Sequence, residues 1–263
     1  MKNITRREAV GAIGIASGSI LLSSFFRNEI YGYSSKKKSV LPWSYTKLDP
    51  LVTADRAYQG FYVDRCMYGV FESIIGQLGE KFGEPYSLFP FEMMRYGEGG
   101  VAGWSSLCGA LNGAAAAIKL VSKHYKTQVN ELFTWYEQIL LPTYVPKKPR
   151  LDFDMPASIS GSVICHTSVT LWTKASGNKY RNDSKERDER CARVTASVAE
   201  YTAKLLNAEY DGRFIAAFKT KPEVKKCQGC HTAKTEEALC NSRGKMDCIT
   251  CHQDIIKVGP DHP

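Results

Sequence analysis

The C-terminal end of this chain states one pattern twice, Cys227-Gln228-Gly229-Cys230-His231 and then Cys248-Ile249-Thr250-Cys251-His252. C-x-x-C-H is the attachment pattern of c-type haem. Two thiols three positions apart add to the two vinyl groups of one porphyrin, and the histidine that follows is held under the iron as proximal ligand. Cys227, Cys230, Cys248 and Cys251 are thus the candidate attachment points of two haem c groups, with His231 and His252 as proximal ligands. The spacing C-x2-C-x17-C-x2-C is also that of a four-cysteine zinc site. Histidine directly after both pairs, in a chain with only 5 histidines, favours haem. That reading carries a condition, because c-type attachment happens outside the cytoplasm.

The other end of the chain addresses the condition. Residues 1–26 read Met1-Lys2-Asn3-Ile4-Thr5-Arg6-Arg7-Glu8 and then a moderately apolar run from Ala9 to Phe26, the layout of an export signal. The Arg6-Arg7 pair before a Gly/Ala-rich core points to the twin-arginine route and a periplasmic destination. That route carries folded proteins, often with a cofactor already inserted. Gly11, Gly14, Ser17, Gly18 and Ser19 interrupt the apolar run, so no stable membrane span is expected once the signal is removed. Residues 27–48, with Lys36-Lys37-Lys38, read as a polar linker.

The formal net charge is +8, of which Lys2, Arg6, Arg7 and Glu8 in the signal carry +2. Four haem propionates would bring the rest close to neutral. No basic stripe with interleaved aromatics is present, so nucleic acid is not an expected partner.

Between the two ends the pattern is helical, and the expected fold class is mainly α. Ala57, Phe61, Asp64, Met67, Phe71, Ile74, Ile75 and Leu78 recur at helical steps with one polar intrusion, predicting a helix over 53–83 that contains Cys66. Gly83 and Pro85 end it. A second helix is expected over the small-residue run that begins at Val101, continuing to about His124, where Gly109 and Gly113 make sense if packing or a cofactor requires close approach. A third is expected over 130–141 and a long amphipathic one over 184–210, capped by Ser184, stopped by Gly212 and bearing Cys191 in its second turn. The expected organisation is a helical cysteine-bearing domain over 49–212 and a small irregular dihaem segment over 213–263.

Five of the 9 cysteines lie outside the pentapeptides: Cys66, Cys108, Cys165, Cys191 and Cys240. In an exported protein they suit disulfides, with one left over. Four of them equally suit an iron–sulfur cluster, which takes four thiolates. Cys240, between the haem motifs, reads as a bystander.

Gly99-Gly100, then Cys108-Gly109-Ala110-Leu111-Asn112-Gly113-Ala114, with Cys66 before and Cys165 and Cys191 after, resembles the cysteine-rich redox domain of anaerobic bacteria. Joined to two C-terminal C-x-x-C-H motifs and a twin-arginine leader, the whole resembles the split-Soret cytochrome c family of sulfate reducers. The resemblance runs from about residue 50 to the C-terminus. It implies a homodimer with two bis-histidine haems per subunit at one end, an iron–sulfur centre of the two-iron type toward the other, and electron transfer. Carried over, it makes Cys66, Cys108, Cys165 and Cys191 the cluster candidates.

Bis-histidine haems need sixth ligands, and His124, His166 and His262 are the three histidines left. His124 lies sixteen residues beyond Cys108, about 24 Å along a continuous helix, which suits a cluster and haems at opposite ends. His262 is within loop reach of either haem, and His166 adjoins Cys165. The family's dimer, in which an axial histidine comes from the partner subunit, gives these spare histidines added meaning. The favoured function is an electron carrier serving redox partner proteins, with no catalytic set. The alternative is a reductase of a small nitrogen or sulfur compound with one five-coordinate haem.

Overall fold

Asp64, the one polar residue on the apolar face of the first helical stretch, marks a break rather than a blemish. In the computed structural model, which describes residues 40–231 and 244–252, helix α1 (Pro50–Phe82) leaves helical geometry at Asp64 and Arg65. The chain then doubles back. Arg56 pairs with both Glu72 and Glu80, and the Gln77 amide donates to Thr53 Oγ1 at 2.9 Å. On an unbroken helix, residues twenty-four apart would stand about 36 Å from each other. The single helix expected over 53–83 is therefore two antiparallel arms, 50–63 and 66–82. Glycines permit their contact, since a Cβ on Gly60 would lie 2.9 Å from the Gly69 Cα. The leader, residues 27–39, Cys240 and His262 lie outside the described residues.

The remaining elements are α2 (Gly109–Val121), α3 (Tyr125–Gln138), α4 (Cys165–Ala175), α5 (Lys185–Tyr210) and α6 (Pro222–His231). Two 3₁₀ turns, Tyr86–Leu88 and Phe91–Gly97, lie before α2. The strands β1 (Leu140–Leu141) and β2 (Ser158–Ile159) form one short antiparallel pair, so the described chain is mainly α. Ser184 caps α5, its hydroxyl accepting from the Arg187 N–H, and Gly212 follows the end with φ +67°. The helix expected over 130–141 starts and stops earlier, at Tyr125–Gln138. The second helix, expected from Val101, starts only at Gly109, because the residues from Gly99 to Gly103 have positive φ, and it stops at Val121, short of His124, which caps α3.

The core lies where the second arm of α1 meets α2 and α5. Val70, Phe71, Ile74 and Leu78 pack with Leu111, Ala114 and Ile118 and with Val194 and Val198, all buried. Each large side chain buried there contributes roughly 1.5–3 kcal/mol. A smaller cluster, Ala54, Tyr58, Phe61, Tyr144, Ala192 and Ala196, joins the first arm to α5. The last residues of the expected linker pack on this body. The Trp43 N–H donates to the Leu120 carbonyl at 2.7 Å, and the Tyr45 hydroxyl donates to Asn207 Oδ1 at 2.8 Å.

Candidate metal centre

Three of the four dispersed cysteines owe their place to a local departure from regular structure. The break at Asp64 and Arg65 makes Cys66 the first residue of the second arm, where the Met67 and Gly99 N–H groups favour its charged form. Cys108 is the N-cap residue of α2, where the Ala110 and Leu111 N–H groups do the same. Cys165 opens α4. A short antiparallel bridge holds these last two side by side: the Cys108 N–H donates to Val163 at 2.9 Å, and the Cys165 N–H to Ser106 at 2.7 Å. Three cysteines therefore sit at helix N-termini, where amides and dipole favour a thiolate. Cys191 comes from the side of α5, which runs against α1.

The loop between the 3₁₀ turns and α2 completes the enclosure. All five residues from Gly99 to Gly103 have positive φ, including Val101 at 64° and Ala102 at 48°. A non-glycine residue there costs roughly 1–2 kcal/mol. Hydrogen bonds from Ala102 to Tyr96 (2.7 Å), Ser105 to Gly99 (2.8 Å) and Ser106 to Gly100 (3.0 Å) hold the loop in shape. Outside the break, Arg95 pairs with Asp64 at 2.6 Å, and Arg65 reaches Asp188 at 3.2 Å and Glu98 at 3.8 Å.

Together Cys66, Cys108, Cys165 and Cys191 line a cavity of about 240 Å³. None is in a disulfide; Cys108 is buried and the others half-buried. No three of the described His, Cys, Asp or Glu side chains converge closely enough to hold one ion. The four sulfurs ring a space wider than a single ion takes, which suits a polynuclear group with four thiolate ligands.

Their electrostatics agree with that geometry. Burial, reinforced by Cys108 and Cys191, pushes the Cys66 thiol up to about 12 against the pull of two amides. Burial, and then the other three sulfurs, push Cys165 up as well. Burial also raises Cys108, opposed by the Tyr136 hydroxyl and the α2 amides. The Cys66, Cys108 and Cys165 thiols are all raised, so their protonated forms are favoured. Metal binding here must release protons.

The haem motifs lie on a second surface. Cys227 and His231 stand near the end of α6, both half-buried, and the described part of Cys230 is its backbone. Cys248, half-buried, faces Cys227, while Cys251 and His252 are exposed. The second motif is fastened to the body. The Thr250 hydroxyl donates to Gly161 at 2.7 Å, the Lys221 amine meets Asp247 at 2.8 Å, and the Asp247 N–H donates to Glu137 at 3.3 Å. Gly161 and Cys165 are four residue steps apart in the chain, a span of at most ~14 Å. His124 and His166 are both exposed. His124 is about 20 Å along α3 from Glu137, so it is remote from this fastening, and His166 stands beside Cys165.

Glu137 makes the fastening sensitive to pH. Burial pushes its carboxyl up to about 7, and the charge of Asp247 adds to the shift while the Asp247 N–H and Lys221 oppose it. A raised carboxyl stabilises the docked state below the ordinary carboxylate range and loses that contribution as pH rises through about 7. Hydrogen exchange at Asp247–Cys251, corrected for intrinsic rates, is therefore expected to quicken between about pH 5 and about pH 7. Glu137→Gln should flatten that dependence; the same pH response in the variant would exclude Glu137 as its source.

Spacing and resemblance could not find Arg190 and Tyr136, which also line the cysteine cavity. Arg190 is 2% exposed, and its Nη2 donates to Ser168 Oγ at 2.8 Å. A cation one residue before Cys191, on the inner face of an amphipathic helix, was the available signal.

Comparison with known proteins places the chain in a family. Residues 68–205 match the family described as "Putative redox-active protein (C_GCAxxG_C_C)". Here glycine and cysteine are transposed, giving Cys108-Gly109-Ala110. Residue 109 has to be small, because a Cβ there would lie 2.3 Å from the Gly97 carbonyl oxygen and 2.5 Å from Cys66 Sγ. The split-Soret cytochrome c of Desulfovibrio desulfuricans is 38% identical over 95% of this chain and 95% of its own length. The solved structure of the split-Soret cytochrome c from strain ATCC 27774, described as having a novel iron centre, matches with a TM-score of 0.76. It is 39% identical and covers 84% of this chain and 95% of that one. The chain belongs to the split-Soret cytochrome c family, haem proteins that transfer electrons.

Proposed function

We propose that this chain is an exported dihaem electron carrier whose body also holds an iron–sulfur cluster of the two-iron type. The observation that carries the cluster is the convergence of Cys66, Cys108, Cys165 and Cys191 on one cavity. Cys227, Cys230, Cys248 and Cys251 hold the haems, with His231 and His252 as proximal ligands. When bound, haem and cluster supply one-electron chemistry; the protein supplies ligands, amide donors and an enclosed setting. The segment 161–165 supports exchange between the two sites. It holds Thr250 at one end, begins α4 with Cys165 at the other, and accepts the Cys108 N–H between them.

The Arg6-Arg7 leader supports twin-arginine export to the periplasm, and no helix among the described residues is long and apolar enough to cross a membrane. Residues 49–212 are read as the cysteine-bearing domain and 213–263 as the dihaem segment. The chain pairs as a homodimer and serves redox partner proteins. Exposed His124 is assigned to the partner subunit's haem, since about 20 Å of α3 separates it from the fastening in its own chain; His166 and His262 are the other candidates.

A pyridine haemochrome assay tests the haem count, with two haems c per chain expected and zero pointing back to zinc. The ferric spectrum should be wholly low-spin. A high-spin fraction that shifts with nitrite would contradict the carrier and favour a reductase. His124→Ala should turn one haem high-spin, and an unchanged spectrum would remove His124 from the ligand set.

A further inference from the structure

We infer that Arg190 is the built-in counter-ion of the cysteine cavity and sets the reduction potential of the cluster held there. The inference rests on the reading of that cavity as a cluster site and assigns a role to a residue that ligates nothing.

Arg190 is 2% exposed on the inner face of α5. Its Nη2 donates to Ser168 Oγ at 2.8 Å, its Nη1 points to Cys191 Sγ at 3.9 Å, and its Nε is buried with no hydrogen-bond partner. Among the described residues no carboxylate pairs with it. The two acidic residues before it in sequence are engaged elsewhere. Glu189 accepts from Tyr58, Tyr62 and Arg193, and Asp188 meets Arg65 and Arg187. The other arginines that line the cavity, Arg65 and Arg187, are those same partners of Asp188. Arg190 alone of the three brings a charge that no carboxylate of the described chain balances.

An unpaired buried guanidinium costs several kcal/mol. The arrangement makes sense if the space it lines holds an anion, and four cysteine thiolates make it strongly anionic. The guanidinium is also fixed in place. Ser168 Oγ, which receives its hydrogen bond, lies 2.8 Å from the Tyr136 hydroxyl. Hydrogen bonds thus run from Tyr136 on α3 through Ser168 and Arg190 to Cys191 on α5. A cation held at that position, away from water, favours the state to which one electron has been added.

The test is a redox titration of the protein as exported, followed by electron paramagnetic resonance, with the haem potentials as an internal reference. Arg190→Gln is expected to make reduction of the cluster at least tenfold less favourable, about 59 mV for a one-electron couple. Arg190→Lys should shift it less, and Ser168→Ala, which frees the guanidinium, should shift it in the same direction. Should Arg190→Gln not accumulate, the lysine and Ser168 variants decide the matter. A cluster potential unchanged in every variant obtained overturns the role of Arg190 and leaves the cluster standing. Absence of non-haem iron and acid-labile sulfide from the wild type overturns the cluster reading and this inference with it.

Discussion

Cys108→Ser is expected to remove the iron–sulfur centre while leaving both haems in place. Cys108 is the buried member of the four and the N-cap residue of α2. Serine is a favoured residue at that position, since its hydroxyl accepts from the first amides of a helix, so α2 should survive. What goes is a soft thiolate from a site that needs four. Non-haem iron and acid-labile sulfide should fall about tenfold or more. The proposed haem attachment residues, Cys227, Cys230, Cys248 and Cys251, belong to a separate surface, so haem content should not change. Cys240→Ser is the control and should leave both unchanged. Full retention of sulfide by Cys108→Ser would show that this cavity is not the cluster site.

The second large effect concerns two glycines of α2 that look alike in sequence and differ in what they touch. A Cβ on Gly113 would come 2.4 Å from the Met67 carbonyl oxygen, a backbone atom that cannot swing aside. A Cβ on Gly109 would meet the Gly97 carbonyl oxygen at 2.3 Å and Cys66 Sγ at 2.5 Å. Alanine at either position gains helix propensity, worth about 1 kcal/mol, but overpacks the contact between α1 and α2. We expect a net loss of about 2–3 kcal/mol, or roughly 4–12 °C in Tm for a chain of this size. The two should part in metal content. Gly113→Ala is expected to keep the cluster, whereas Gly109→Ala, which displaces a ligand, should lose most of it. Equal metal content in the two variants would contradict the placement of Cys66 against Gly109.

Gly109 and Gly113 also show what could be read from the chain before its fold. A helix that tolerates two glycines four apart announces close approach, and the structure supplies the surface they approach. The long helix of residues 185–210 was equally legible, because Ser184, the apolar stripe and Gly212 all agree. The first helix was misread for a physical reason. Its periodicity continues across Asp64, and periodicity carries no record of a chain that breaks and resumes on the same face. Only long-range pairs such as Arg56 with Glu72 reveal the reversal. The cysteine set was suggested by resemblance, yet the means of gathering it lay beyond sequence: a left-handed loop through Val101 and Ala102, and a bridge between Leu107 and Ile164 that sets Cys108 beside Cys165. Arg190 was hidden because surface and buried arginines look the same in a charged helix.

The central claim is that one chain joins c-type haem to a four-cysteine cluster site. The most direct test is low-temperature electron paramagnetic resonance of the fully reduced protein as exported. Reduced low-spin haem is silent, so any signal that remains belongs to another centre. The account predicts a signal of spin one-half that integrates to about one spin per chain of two haems. A silent spectrum from reduced protein with its full haem content would contradict it.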